Sequence, residues 1–375
     1  MLTSLTSSID PRPLGLARII IGIAAVIRSY VAWRVLSRLA EPEVLKIPYA
    51  EWLPEPSLGL AISVVGVWAV AAVLFTIGWR VALSGPILLG AIVITLSLDE
   101  QAYSNHLYLM AWLVLLLTLA SAGSGINIAR QDRLIVRWPV FLIMLQASLV
   151  YGFSAFTKFN ESFLSGSVLA GTLGRGVIPF PEPLITPQFL SLVAAGVVFV
   201  ELVVAMFLWR RRLRPVAFLL GLGLHLSITL LMTDTLELLV FSLEMMAIYP
   251  LFLSRSKLTV VYDGECASCR RWVSRLKQID LLHVLDPVVS NASSSLPGST
   301  YPEPALQVLH HGAGKGFRAL TLALEHLVPT LWVAPILRLP GVRNLGEWWY
   351  RSQARRAGCP AGIPTNLERG SVSAV

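Results

Sequence analysis

Two cysteines three positions apart, Cys266 and Cys269, carry the most specific chemistry in this 375-residue chain. They lie in Val260-Val261-Tyr262-Asp263-Gly264-Glu265-Cys266-Ala267-Ser268-Cys269, a β-branched run and a turn, followed by Arg270, Arg271, Trp272, Val273 and Leu276 at helical spacing. Strand, loop and helix N-terminus form the setting in which a thiolate is most readily made. Unpaired N–H groups of the first turn and the helix dipole favour a negative sulfur, and two adjacent arginines act in the same sense. Cys266 is therefore expected to attack and Cys269, one turn into the helix, to resolve. Half of a zinc site is the competing reading. Zinc needs four ligands, the only other cysteine is Cys359, and no histidine follows Cys269 at ligand spacing, so no metal is expected. Asp263 either tunes the thiols or caps the turn.

The elements that must carry this motif divide sharply. Hydrophobic residues make up 55% of the chain and charged residues 14%, with a mean hydropathy of +0.68, which excludes an ordinary soluble protein. Nearly all of the apolar excess precedes residue 254. Apolar runs cover residues 14–33, 57–79, 81–98, 107–129, 138–157, 189–209, 215–232 and 236–253, most of them long enough to cross roughly 30 Å of hydrocarbon, giving about eight spans. No basic leader precedes the first run, so it is expected to be retained as a span. Residues 34–56 are polar, aromatic and Pro-rich, an interfacial loop. Residues 159–188 hold too much Gly and Pro for one long helix. A net charge of +8 fits topology signals and anionic-lipid contact rather than nucleic acid, because the basic residues flank apolar runs. In an eight-span chain Arg80, Arg130, Arg133, Arg137, the Arg210-Arg211-Arg212 cluster, Arg214, Arg255 and Lys257 share one side. That places both termini and the Cys-x-x-Cys segment in the cytoplasm, with the chain an integral protein of the plasma (inner) membrane.

Ionisable residues within such spans are costly and ask for a reason. Asp99, Glu100, Asn105, His106, Lys158, Glu161, Asp234 and Glu237 gather at the outer ends of different spans, and His225 lies roughly 13 Å deeper at 1.5 Å per residue. Tyr151 and Ser154 share a helical face with Lys158, so a polar stripe leads to its amine. Lys158 is either a base in a dry pocket or a side chain snorkelling to water. His225 is either an interhelical hydrogen-bonding group or a catalyst. Glu201, Glu244 and Arg28 read as structural ion pairs.

Two resemblances extend these readings. Tyr151-Gly152-Phe153-Ser154-Ala155-Phe156-Thr157-Lys158-Phe159, with Phe163 and Gly166, resembles a motif of the vitamin K-dependent γ-carboxylase-like, or HTTM, membrane family. Asn105-His106-Leu107-Tyr108-Leu109 and Gly223-Leu224-His225-Leu226 resemble its histidine segments. The resemblance implies that Lys158 is a base toward a quinone or hydroquinone cofactor and that His106 is functional. It departs from the family at Ser154-Ala155 and Phe163, and the carboxylase's lumenal domain has no counterpart, which speaks against glutamate carboxylation. Tyr262-Asp263-Gly264-x-Cys266-x-x-Cys269, with Leu339-Pro340 and residues 350–356, resembles the DCC-type thiol-disulfide oxidoreductases over residues 258–359. A thioredoxin-like fold is implied.

The residues agree with that fold. They predict strands over 258–262, 283–286 and 305–309, helices over 269–279 and 317–327, and a Gly turn at Gly312 and Gly314. Pro304 is a candidate for the cis-proline facing the motif, a trans loop proline being the alternative. The last helix, 342–357, sets Trp348, Trp349 and Tyr350 beside Arg351, Arg355 and Arg356, suited to an anionic leaflet or to packing as an ordinary amphipathic helix.

The expected architecture is a polytopic α-helical membrane bundle over residues 1–255, a small α/β thioredoxin-like domain over 256–359 and a disordered tail over 360–375. The expected function is a membrane-bound thiol-disulfide oxidoreductase whose Cys266 and Cys269 exchange with a dithiol or disulfide partner protein. The spans would be coupled to it through a quinone-like lipid. A redox-gated transporter, with His106, Lys158 and Glu237 along its path, is the alternative.

Overall fold

The computed structural model describes residues 6–120, 122, 126, 135–173, 176–233, 235–253, 257–264, 266–290, 306–308 and 314–356. The chain falls into two compact units, Met1–Leu253 and Ser254–Val375.

The first unit is helical. Among the described residues, Arg12–Leu39, Leu58–Ile77, Val81–Leu98, Arg137–Lys158, Pro187–Phe207, Arg214–Leu231 and Thr235–Phe252 are seven helices long and apolar enough to cross a membrane. Asn105–Leu119 is apolar but has 15 residues, so about eight expected spans become seven of full length and one shorter helix. The first helix also outruns its expected end. No proline interrupts it before Pro42, and Leu36 and Leu39 continue its buried face past Arg34. Helix starts follow the local chemistry: the hydroxyl of Ser57 accepts the Leu60 N–H, and that of Thr186 accepts the Phe189 N–H with Pro187 at the first helical position. Residues 159–188 break, as their Gly and Pro content requires, into Glu161–Leu164, Ser167–Thr172 and a 3-10 turn at Glu182–Leu184. Arg18, fully buried, donates from Nη1 to the carbonyls of Phe75 (2.6 Å) and Thr76 (3.0 Å). A cation thereby meets the negative end of the Leu58–Ile77 helix. Two short strands, β1 (Ser8–Ile9) and β2 (Ile135–Val136), pair antiparallel without a signal in the sequence strong enough to foresee them.

The second unit runs β3 (Leu258–Asp263), helix Ala267–Gln278, β4 (Leu285–Ser290), β5 (Gln307–Val308), β6 (Gly314–Lys315), helix Gly316–Leu324, a short turn of helix at Ala334–Leu337 and the terminal helix Pro340–Arg356. The sheet order is β4-β3-β5-β6. β3 is parallel to β4 and antiparallel to β5, which is antiparallel to β6. A βαβ unit followed by a ββα unit is the arrangement that a thioredoxin-like sheet requires. β4 begins two residues later than expected. The buried Asp280 carboxylate accepts the N–H groups of Val284 (3.0 Å) and Leu285 (2.8 Å), and His283 turns through a left-handed φ of 49°. Pro287 is tolerated inside β4 because that strand is a sheet edge. Gly314, expected in a turn, opens β6. Pro304, Asp234 and Cys359, and with them the cis-proline reading, lie outside the described residues, as does the expected tail.

Candidate functional site

The residues singled out in the sequence fall into two groups, one in each unit. In the second unit Cys266 is the N-cap of the helix Ala267–Gln278, and its Sγ accepts the Cys269 N–H at 3.4 Å. This is the polarised position that the sequence predicts for an attacking sulfur. Both sulfurs are buried and pack with Tyr262. Cys266 is disulfide-bonded and Cys269 is a free thiol, so the two motif sulfurs are not bonded to each other.

Burial pushes the Cys269 thiol above its ordinary pKa, and the Asp263 charge adds to that rise. Hydrogen bonds from the Tyr350 phenol and from the N–H groups of Asp263 and Leu306 pull in the other direction. A thiol held neutral at rest suits the resolving role rather than the attacking one. Asp263 therefore reaches the thiols through its main chain as well as its charge. The terminal helix packs within this unit: Trp349 meets Trp272 edge to face at 5.5 Å, while Trp348 stays exposed. No group of His, Cys, Asp and Glu among the described residues could hold a metal ion.

The membrane unit gathers its polar residues around the last span. Lys158 Nζ lies 2.5 Å from Glu201 Oε1 and 2.8 Å from Ser154 Oγ, and Ser154 donates to the same carboxylate oxygen at 2.9 Å. Glu201 is buried, whereas 29% of the Lys158 side chain remains accessible. Two turns earlier on the Lys158 helix, the Tyr151 hydroxyl lies 2.7 Å from both His225 Nε2 and the Tyr249 hydroxyl. Ser242 Oγ donates to the Leu238 carbonyl at 2.7 Å and lies 3.2 Å from His225 Nδ1.

Tyr151, His225, Tyr249 and Ser242 thus form one buried hydrogen-bonded chain. The Tyr249 hydroxyl fits only because residue 221 is glycine: a Cβ there would stand 1.9 Å from the oxygen.

The same span extends the site outward. Phe241 stacks on His106 at 4.5 Å and lies against His225 at 5.3 Å, so it separates the two imidazoles. One turn before it, Glu237 pairs with Arg28 at 2.9 Å and stands 3.9 Å from His106 Nδ1, the latter too far for a hydrogen bond. Among the described residues, Glu201 Oε2, His106 Nδ1, Arg28 Nε and both oxygens of Glu244 are buried without a hydrogen-bond partner. A groove of about 630 Å³, lined by Tyr49, Trp52, Val93, Tyr103, Tyr108 and Trp112, includes none of these groups.

Three contributors went unforeseen as such. Glu201, read as part of a structural ion pair, is the partner of Lys158, and Tyr249 and Ser242 complete the His225 chain. Their only sequence signal was a polar residue within or beside an apolar run, which names no partner.

The comparisons with known proteins agree with this division. No curated protein and no solved structure matches the chain. The HTTM domain matches residues 6–256, and the DCC1-like thiol-disulfide oxidoreductase matches residues 260–357. The chain therefore belongs to the HTTM family, as an integral membrane protein that carries a DCC1-like thiol-disulfide oxidoreductase domain after its helical bundle.

Proposed function

We propose that the protein exchanges disulfides with a partner protein at the cytoplasmic membrane surface through Cys266 and Cys269, and that its bundle binds a quinone-like lipid beside Lys158 and Glu201. The observation that carries the first part is Cys266 at a helix N-cap with a neutral, buried Cys269 one turn on. The Cys266 thiolate attacks a partner disulfide, one partner sulfur leaves with the electron pair, and Cys269 displaces the other from Cys266. Arginines beside the spans favour the cytoplasmic side. Cys269→Ser should trap a mixed disulfide with the partner in cells, and Cys266→Ser should trap none. Equal trapping by both variants would exclude these roles.

For the second part, an orphaned buried acceptor, Glu201 Oε2, lies beside a partly accessible ammonium, and these groups fit a ligand with hydroxyl or carbonyl oxygens. A hydroquinone bound there would supply two protons and two electrons. The chain's own residues would orient an oxygen through Lys158 Nζ and hold its proton on Glu201, with Ser154 fixing the carboxylate. A lipid-soluble quinone should co-purify with the wild-type chain and be lost with Lys158→Ala, as read by mass spectrometry. Its absence from both preparations would remove this part and leave the thiol chemistry standing.

A further inference from the structure

The charge of this chain is unevenly placed. Four basic residues and no acid lie in the cysteine helix Ala267–Gln278, and four basic residues with one acid, Glu347, lie in the terminal helix Pro340–Arg356. Eight cations less one carboxylate give these two helices +7, against +8 for the whole chain. Glu347 is the nearest counter-ion of Arg351, at 3.4 Å, yet 64% of the Arg351 side chain stays accessible.

The two helices meet in one surface. Trp349 contacts Trp272 edge to face at 5.5 Å, and the Arg275 guanidinium lies 5.6 Å from the centre of the Trp272 ring. Arg271, one turn before Arg275, is exposed. On the terminal helix Leu345, Trp348 and Arg351 recur every three residues and share one face. Leu345 is 64% exposed and Trp348 68%, whereas Tyr350 is buried. The helix therefore has the inward face that packing requires, and also an outward face whose apolar side chains stand beside arginines.

A phosphate backbone in solution would take up that charge but leave Leu345 in water. A bilayer interface takes both: indole rings settle at headgroup level, aliphatic side chains enter the acyl boundary, and anionic headgroups attract the guanidinium groups. Chain length keeps such an interface close. The last span ends at Phe252 and β3 begins at Leu258, so at about 3.5 Å per residue the chain between them reaches no more than roughly 20 Å.

We propose that this face of the second unit docks on an anionic phospholipid bilayer, with Leu345 and Trp348 at headgroup level and Arg271, Arg275 and Arg351 against lipid phosphates. The surface is separate from the sulfur chemistry and stands whether or not Cys266 and Cys269 exchange disulfides.

The test uses the full chain in nanodiscs of phosphatidylcholine alone or mixed with phosphatidylglycerol. An environment-sensitive fluorescent amino acid replaces Leu345, and a lipid with a nitroxide near its headgroup serves as quencher. Emission should shift to the blue and be quenched in the mixed discs, and do neither in the neutral ones. Arg271→Gln, Arg275→Gln and Arg351→Gln should each lower the docked-to-free ratio about fivefold, the population equivalent of about 1 kcal/mol per basic residue at such a surface. Salt at about 1 M, which shortens the Debye length to about 3 Å, should reverse the quenching. Equal emission in the two discs, or quenching that ignores both salt and all three substitutions, would overturn the proposal. The lipid comparison needs no arginine substitution, so it decides the matter even where a variant fails to fold. A blue shift produced in neutral discs by single-stranded DNA would give the cations to a soluble polyanion and overturn the proposal as well.

Discussion

The two units build their polar sites in opposite ways. In the thiol unit the reacting atoms are local: Cys266 and Cys269 sit within one turn of the helix that polarises them. In the membrane unit every decisive contact is remote. Lys158 and Glu201 are 43 residues apart, Tyr151 and His225 are 74 apart, and Tyr151 and Tyr249 are 98 apart. Hydrocarbon offers no hydrogen-bond partner, so each buried polar side chain in a span must be met by another helix. A soluble helix terminus supplies its own donors.

The largest effect expected from this contrast concerns activity. Cys266→Ser should reduce exchange with glutathione disulfide at least a hundredfold, because the remaining thiol, Cys269, is held neutral by burial. Lys158→Ala should leave that rate within a factor of two. A large loss in Lys158→Ala, measured on purified full-length chain, would break the comparison by showing that the units act as one site.

The same contrast explains what the sequence made legible. The Cys-x-x-Cys helix was readable because β-branched residues, a turn and helical spacing are contiguous from Val260 to Leu276. The spans were readable from apolar length alone. Lys158, His106 and Tyr151 could be picked out as costly residues, but pairing them needs helix rotation and crossing, which no local pattern encodes. Phe241 gives the clearest case: an apolar residue in an apolar run separates two histidines. Tyr350 shows the same limit in the second unit, since its phenol oxygen meets the Leu306 N–H, 44 residues away, only after the terminal helix has docked.

A second test sharpens the comparison through stability. Glu201 is buried and Lys158 is partly open, so the two halves of the pair are not equivalent. Lys158→Ala strands a buried carboxylate and should cost about 3 kcal/mol, near the lower end for breaking a buried pair. Glu201→Ala leaves an amine that can turn toward water and should cost less, about 1 kcal/mol. Denaturant titration in mixed micelles gives both values, and equal losses would contradict the burial asymmetry. Tyr151→Phe should cost about 2 kcal/mol, because it leaves His225 Nε2 and the Tyr249 hydroxyl buried without their partner. Its effect on thiol exchange should be nil.

A pH series separates the units without any mutation. The folded pKa of Cys269 is raised, so the thiol adds nothing to the pH dependence of stability below its unfolded value of about 8.5. Above that value the unfolded chain loses a proton that the folded chain keeps. Stability of the second unit should therefore fall as pH rises toward the folded pKa, by at most about 1.4 kcal/mol per pH unit. Cys269→Ser removes this slope, and hydrogen exchange of the helix Ala267–Gln278 reports it. A slope that survives the substitution would have to come from other groups.

The smallest expected effect lies at the contact of Trp349 with Trp272. Trp349→Leu keeps apolar bulk and loses the edge-to-face geometry, worth about 0.5–1.5 kcal/mol beyond buried area. In the membrane unit a change of that size on one helix would be diluted among many interhelical contacts. Here it loosens the contact by which the terminal helix meets the cysteine helix. The melting temperature should fall by only a few degrees, with a ceiling near 8 °C for a domain of this size. Cys269 should meanwhile alkylate more quickly as the helix that covers it lifts more often. Faster alkylation with a small thermal shift would show that chemistry local in sequence still depends on a remote cover, the one respect in which the thiol unit resembles the bundle.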